Sequence, residues 1–143
     1  MPQVYQKQKA KKKDWADIWQ ADNGALGLET SLPVMLTEGV NKGRITMQKL
    51  VEVMCENPAK LFRIFPKKGT LQVGADADVV LVDLNKEYTV DAAKFHSVVK
   101  HSPFNGFAVK GAPVLIMVRG TVVAENGEVV AQPGHGKMVR PIK

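Results

Sequence analysis

The chain predicts an α+β fold in which the helices come first and the strands follow. Two changes of pattern and one turn signal carry this reading. Apolar residues recur at helical spacing between residues 32 and 55, most clearly at Met47, Leu50, Val51, Met54 and Cys55. Beyond Pro66 they gather instead into continuous β-branched and leucine runs, Val79 to Val82 and Val114 to Val118, the pattern of strands covered on both faces. Asn126-Gly127 then sits between two short apolar runs. A type I′ hairpin turn needs positive φ at both central residues, which this pair tolerates. Such segregation of helices from strands suits an α+β domain or parts of two domains.

Residues 1–13 are polar and lysine-rich, with little to bury, and read as a basic flexible arm. Trp15, Ile18 and Trp19 stand at i, i+3, i+4 and suit one or two turns of amphipathic helix. Asp22-Asn23-Gly24 reads as a turn. A helix begins near Ser31 or Leu32, with Pro33 in its first turn, where a missing N–H costs nothing. Leu32, Met35, Leu36 and Val40 form its stripe, and Gly39 or Asn41 ends it. Thr46 is the expected N-cap of a second helix, whose stripe makes Cys55 a core residue. Asn57-Pro58 opens a third, shorter helix ending near Arg63, with Leu61, Phe62 and Phe65 pinning it to the core.

After residue 66 come the two apolar runs and the hairpin of Thr121 to Ala124 and Glu128 to Ala131. Tyr88 to Val90 fits a short strand, residues 91–99 fit either state, and Ser102 to Gly106 is a turn. The segments are therefore 1–13 arm, 14–66 helical, and 67–143 strand-rich.

At 143 residues the chain can hold one domain with a real core. It is too short for a complete (β/α)8 barrel of about 250 residues. The net charge of +6 is concentrated in the arm, where Lys7, Lys9, Lys11, Lys12 and Lys13 supply +5. A folded nucleic-acid binder carries its basic face on the domain, so this distribution speaks against nucleic acid and for a solvated tail. Binding of an anionic surface through Lys7 to Lys13 is a weaker alternative, marked by steep salt dependence. No run of about 18 apolar residues is present to span a membrane. The single Cys55 excludes an internal disulfide and fits a reducing, cytoplasmic setting.

A hydrolytic metal site needs converging histidines and carboxylates with one position open for water. The three histidines, His96, His101 and His135, form neither His-x-His nor His-Glu-x-x-His. They read as surface or turn residues, and no metal ligand is assigned. Asp76 and Asp78 would share a face of an extended segment. A cation site there competes with a simpler role: Asp76 terminating the Gly74-Ala75 turn, Asp78 fixing the strand entry, and Asp83 ending the strand. No Gly-x-Ser-x-Gly element and no phosphate loop occurs. The residues alone define an α+β domain with a basic arm.

Several motifs in a fixed order go further. They are Asp17 to Ala21, Asn23 to Thr30, Leu32 to Ile45, Glu56-Asn57-Pro58-Ala59-Lys60-Leu61-Phe62, and Lys68 to Asp83 with its Gly74-Ala75-Asp76-Ala77-Asp78 core. Ser102 to Gly106, Val118-Arg119-Gly120 and Pro133 to Lys137 follow. Together they resemble the tail end of the cyclic amidohydrolases: dihydropyrimidinase (hydantoinase), allantoinase and dihydroorotase. The last two motifs point to the hydantoinase and dihydropyrimidinase side.

The resemblance implies that residues 14–66 are the terminal helices of an incomplete (β/α)8 barrel. It makes residues 67–143 strands of a small β-sandwich. It implies hydrolysis of cyclic amides of the hydantoin, dihydropyrimidine or dihydroorotate type, with zinc activating a hydroxide in a full-length relative. The expected metal and acid–base residues belong upstream, and Met1 to Lys13 does not reproduce the Asp-His-Ala-Pro pattern expected there. The chain alone is therefore expected to bind no cofactor and to be inactive, with no catalytic residue of its own. Asn23 and Gly24 match a loop that lends backbone groups to the substrate's cyclic amide, although a plain turn explains them equally well. The expected partners are a second copy or a complementary N-terminal chain. The alternative is a non-catalytic, dihydropyrimidinase-like assembly protein.

Overall fold

A computed structural model describes residues 26–142. The basic arm, the Trp15–Trp19 segment and the Asp22–Gly24 turn lie outside the described residues. Within them the expected order holds, with helical segments to residue 61 and a sheet from residue 79.

The first helix starts as α1 (Ser31–Val34) and runs on with wider, π-type turns over Met35–Asn41. Leu36, the helix's most deeply buried side chain, is only 1% exposed. The second begins as α2 (Met47–Val51), where the Thr46 hydroxyl accepts the Lys49 N–H at 3.1 Å, the expected N-cap. It continues through a π-type stretch, Glu52–Glu56, into α3 (Asn57–Leu61). Asn57 has helical backbone angles, so Asn57-Pro58 does not open a separate helix as expected. Proline is tolerated there because the widened turn before it relieves the usual demand for its N–H.

Four antiparallel strands form one sheet in the order β1-β2-β3-β4: β1 (Val79–Thr89), β2 (Ala108–Val118), β3 (Thr121–Glu125) and β4 (Glu128–Val129). Asn126 and Gly127 make the hairpin turn with φ of 52° and 91°. Tyr88 and Thr89 belong to β1, which runs past Asp83. The Asp83 carboxylate caps a local turn by accepting the Asn85 N–H at 2.9 Å, so it makes a bulge rather than the expected strand end. Across that bulge Asp83 pairs with Ala112 and Glu87 with Lys110. Gly111 alone thus faces the three residues Leu84, Asn85 and Lys86.

Gly111 is where helix and sheet meet. Its φ is +103°, and a Cβ there would lie 2.9 Å from Leu36 Cδ1. Only glycine gives both the backbone angle and the space. Beside it the Thr37 hydroxyl accepts the Lys110 N–H at 2.9 Å, and Asn41 Nδ2 donates to the Lys110 carbonyl at 2.9 Å. Both backbone groups of Lys110 are thereby bonded to the helix. Next to this junction lies the core of Val90, Ala92, Phe95 and Val109, with Val34, Phe104 and Phe107 packed on it. The Phe104 and Phe107 rings meet edge to face at 6.2 Å. A 3-10 turn, Ala92–Lys94, is fastened by Asn105 Oδ1, which accepts the Ala92 N–H at 2.8 Å.

The other end of the sheet is open. Val80 is 46% and Leu81 52% exposed, so the expected two-sided burial of this run is not met. The helices cover only the Gly111 end. Along the second helix Leu50 and Ala59 are buried, but Val51, Leu61, Phe62 and Cys55 are exposed, against expectation. One face of that helix packs inward and the other has no partner among the described residues. No described helix is long and apolar enough to cross a membrane.

Gly111→Ala is expected to lower stability by about 1–3 kcal/mol through backbone strain and the clash with Leu36. Thr37→Val should cost about 1 kcal/mol. Urea unfolding of the two variants checks both, and an unchanged midpoint for Gly111→Ala would show that the junction is not rigid.

Candidate functional site

The segment that follows Asn23 and Gly24 is fastened at both of its described ends. The Gly27 carbonyl accepts the N–H groups of Thr30 at 3.1 Å and Ser31 at 2.7 Å. The two oxygens of Glu29 accept the N–H groups of His96 and Ser97, each at 3.0 Å. Glu29 therefore ties the start of the helical layer to the loop after the 3-10 turn. An open cleft of about 270 Å³ lies beside it, lined by Glu29, Thr30, Tyr88, Asp91, Lys94 and Phe95 among others. Burial pushes the Tyr88 phenol above its ordinary pKa.

The histidines are held by backbone. His96 Nε2 lies 2.8 Å from the Gly127 carbonyl oxygen and His135 Nε2 lies 3.2 Å from that of Val118. A carbonyl oxygen only accepts, so each Nε2 carries the proton and donates. His101 is exposed. These groups lie on separate elements, and among the described residues no three His, Cys, Asp or Glu side chains converge. The described residues therefore do not fit a zinc site.

Asp76 and Asp78 do come together, around a cation of the chain itself. Lys68 Nζ lies 2.9 Å from Asp76 Oδ2 and also bonds Asp78 Oδ2. The second oxygen of Asp78 accepts the Arg119 N–H at 2.8 Å, and the Arg119 guanidinium donates to the His135 carbonyl. Asp78 fixes the strand entry as expected, whereas the Asp76 side chain serves Lys68 rather than its own turn. The periodicity of the sequence carries no signal for Lys68, because its partners sit on a different segment. The same is true of Glu29, whose partners are 67 and 68 residues away.

Burial is the largest influence on the Lys68–Asp78 pair and disfavours both charges. The hydrogen bonds and opposite charges outweigh it, leaving Lys68 above the ordinary lysine pKa and Asp78 below the ordinary aspartate pKa. The depressed Asp78 contributes stability that is fully present above the ordinary aspartate value and is lost as pH falls through the folded one. The raised Lys68 contributes stability present below the ordinary lysine value and lost as pH rises through its folded one.

With this architecture in view, the comparisons are direct. The chain belongs to the amidohydrolase family, whose pattern its residues 14–123 match. It is 64% identical over 129 residues to an L-hydantoinase of Paenarthrobacter aurescens, covering 90% of this chain and 28% of that enzyme. It is 48% identical over 106 residues to a dihydroorotase of Acetivibrio thermocellus, covering 74% of this chain and 24% of the relative. The solved L-hydantoinase (dihydropyrimidinase) from Arthrobacter aurescens superposes with a TM-score of 0.84 at 64% identity, over 89% of this chain and 28% of its own. The chain thus spans about a quarter of the length of these relatives. Asn23 and Gly24 lie outside the described residues, so the geometry built here begins just after them.

Replacing Lys68 by Met should lower stability near neutral pH by about 1–3 kcal/mol, because two carboxylates lose their cation. It should also flatten the fall in urea midpoint below about pH 4. A variant whose acid limb parallels the parent chain would rule out the clamp as its source.

Proposed function

We propose that this chain is the C-terminal part of a hydrolase that opens cyclic amides of the hydantoin, dihydropyrimidine or dihydroorotate type, and that it is inactive on its own. The observation that carries this is the 64% identity to L-hydantoinase across 90% of the chain but only 28% of that enzyme. The described residues offer no zinc site, so no hydrolytic step is assigned to them. In this reading the metal and the proton-transfer groups belong to the rest of the fold.

The contribution of the chain is binding and support. Asn23 and Gly24 lend backbone donors and acceptors to the ring amide. Such groups suit a cyclic imide because their geometry is fixed and they need no ionisation. Glu29 and the Gly27 carbonyl, bonded as described, hold the segment that follows these two residues. A loop restrained in this way loses less freedom when a substrate docks.

Metal content and ring opening of hydantoin, dihydrouracil and dihydroorotate are measured on the same purified chain. The expected outcome is substoichiometric metal and no turnover. Stoichiometric zinc together with turnover would mean that the chain builds a site of its own, and the proposal would fall.

A further inference from the structure

We infer that the free edge of β1, from Val79 to Leu84, is an interaction surface that takes a strand from the remaining part of an amidohydrolase fold, whether that part is on the same or a separate polypeptide. This rests on reading the chain as one part of a hydantoinase-like enzyme.

Four observations point to this occupant. First, β1 is terminal in the sheet order and pairs only with β2, so one side of its backbone has no ladder among the described residues. Second, Val80 and Leu81 are adjacent and therefore point to opposite faces, yet they are 46% and 52% exposed. A strand patterned for burial on both faces is thus uncovered on both. Third, the stretch Val79-Val80-Leu81-Val82-Asp83-Leu84 contains no lysine and no proline, the residues by which a permanent edge is guarded against pairing. The opposite edge of the sheet differs, because β4 is only two residues long. Fourth, the L-hydantoinase that matches most of this chain carries more than two-thirds of its length outside the matched segment. That remainder is the cover the exposed run lacks. The exposed Leu61 and Phe62 on the second helix mark a second apolar area of this chain without a partner among the described residues.

The test uses the full chain, co-expressed with a tagged polypeptide comprising the part of the Paenarthrobacter aurescens L-hydantoinase outside the matched segment. Capture of the chain is expected, with at least tenfold slower amide exchange over Val79–Leu84 and no change in β4. Leu81→Lys should reduce capture at least tenfold, whereas Val129→Lys on the opposite edge should not. Exchange protection at Val109 in each free variant verifies that it is folded, and Leu81→Ser replaces Leu81→Lys if that variant is unfolded. No capture, or capture indifferent to residue 81, overturns the inference. Self-association of the chain alone that Leu81→Lys abolishes would assign the edge to a second copy and overturn it equally. Hydantoin opening by the captured pair is scored separately. Capture without turnover keeps the interface and removes the hydrolase reading, while turnover indifferent to residue 81 does the reverse.

Discussion

The helical layer and the sheet are joined at one point, the contact of Leu36 with Gly111. A side chain at residue 111 would collide with Leu36, and a non-glycine backbone would resist the φ of +103°. Thr37 and Asn41 complete the contact by bonding both backbone groups of Lys110. The bulge opposite, from Asp83 to Glu87, lets β1 follow this bend and continue to Thr89. The small core around Val90, Phe95 and Val109 lies directly beyond it. The position of Glu29 and Thr30, at the start of the helical layer, depends on the same junction.

The polar side chains of the chain mainly bind its own backbone and loops. Lys68 gathers Asp76 and Asp78, and Asp78 reaches on to the turn at Arg119. His96 and His135 bond carbonyls, and Glu29 bonds two amides. A carboxylate or imidazole committed in this way is poorly placed to hold a metal, since the lone pair or proton it would use is already engaged. The chemistry a hydantoinase-like enzyme needs is therefore sought beyond these residues, and what this part offers is a shaped and restrained support.

Much of the fold was legible in the sequence because its signals are local. The Thr46 cap, the Asn126-Gly127 turn, the Ser102–Gly106 turn and both long strands follow from residue types and spacing over a few positions. Burial was less legible. The stripe through Met47, Leu50 and Cys55 and the run from Val79 to Val82 record where apolar groups are to be covered, without recording by what. Leu50 finds cover within the chain, while Val80, Leu81 and Cys55 do not. The candidate site divides in the same way: Asn23 and Gly24 are readable from family resemblance, but the Glu29 and Lys68 bonds join distant segments and leave no periodic trace.

By itself the sequence determined the order of helices and strands, the turns, and the family to which the chain belongs, since all three rest on short-range chemistry and motif order. The tertiary structure decided which apolar residues are buried, the fusion of two expected helices into one, and the bulge at Gly111. It also decided the pairing of Lys68 with its two aspartates. Each of these depends on groups brought together from far apart in the chain, where packing space and hydrogen-bond geometry select the outcome.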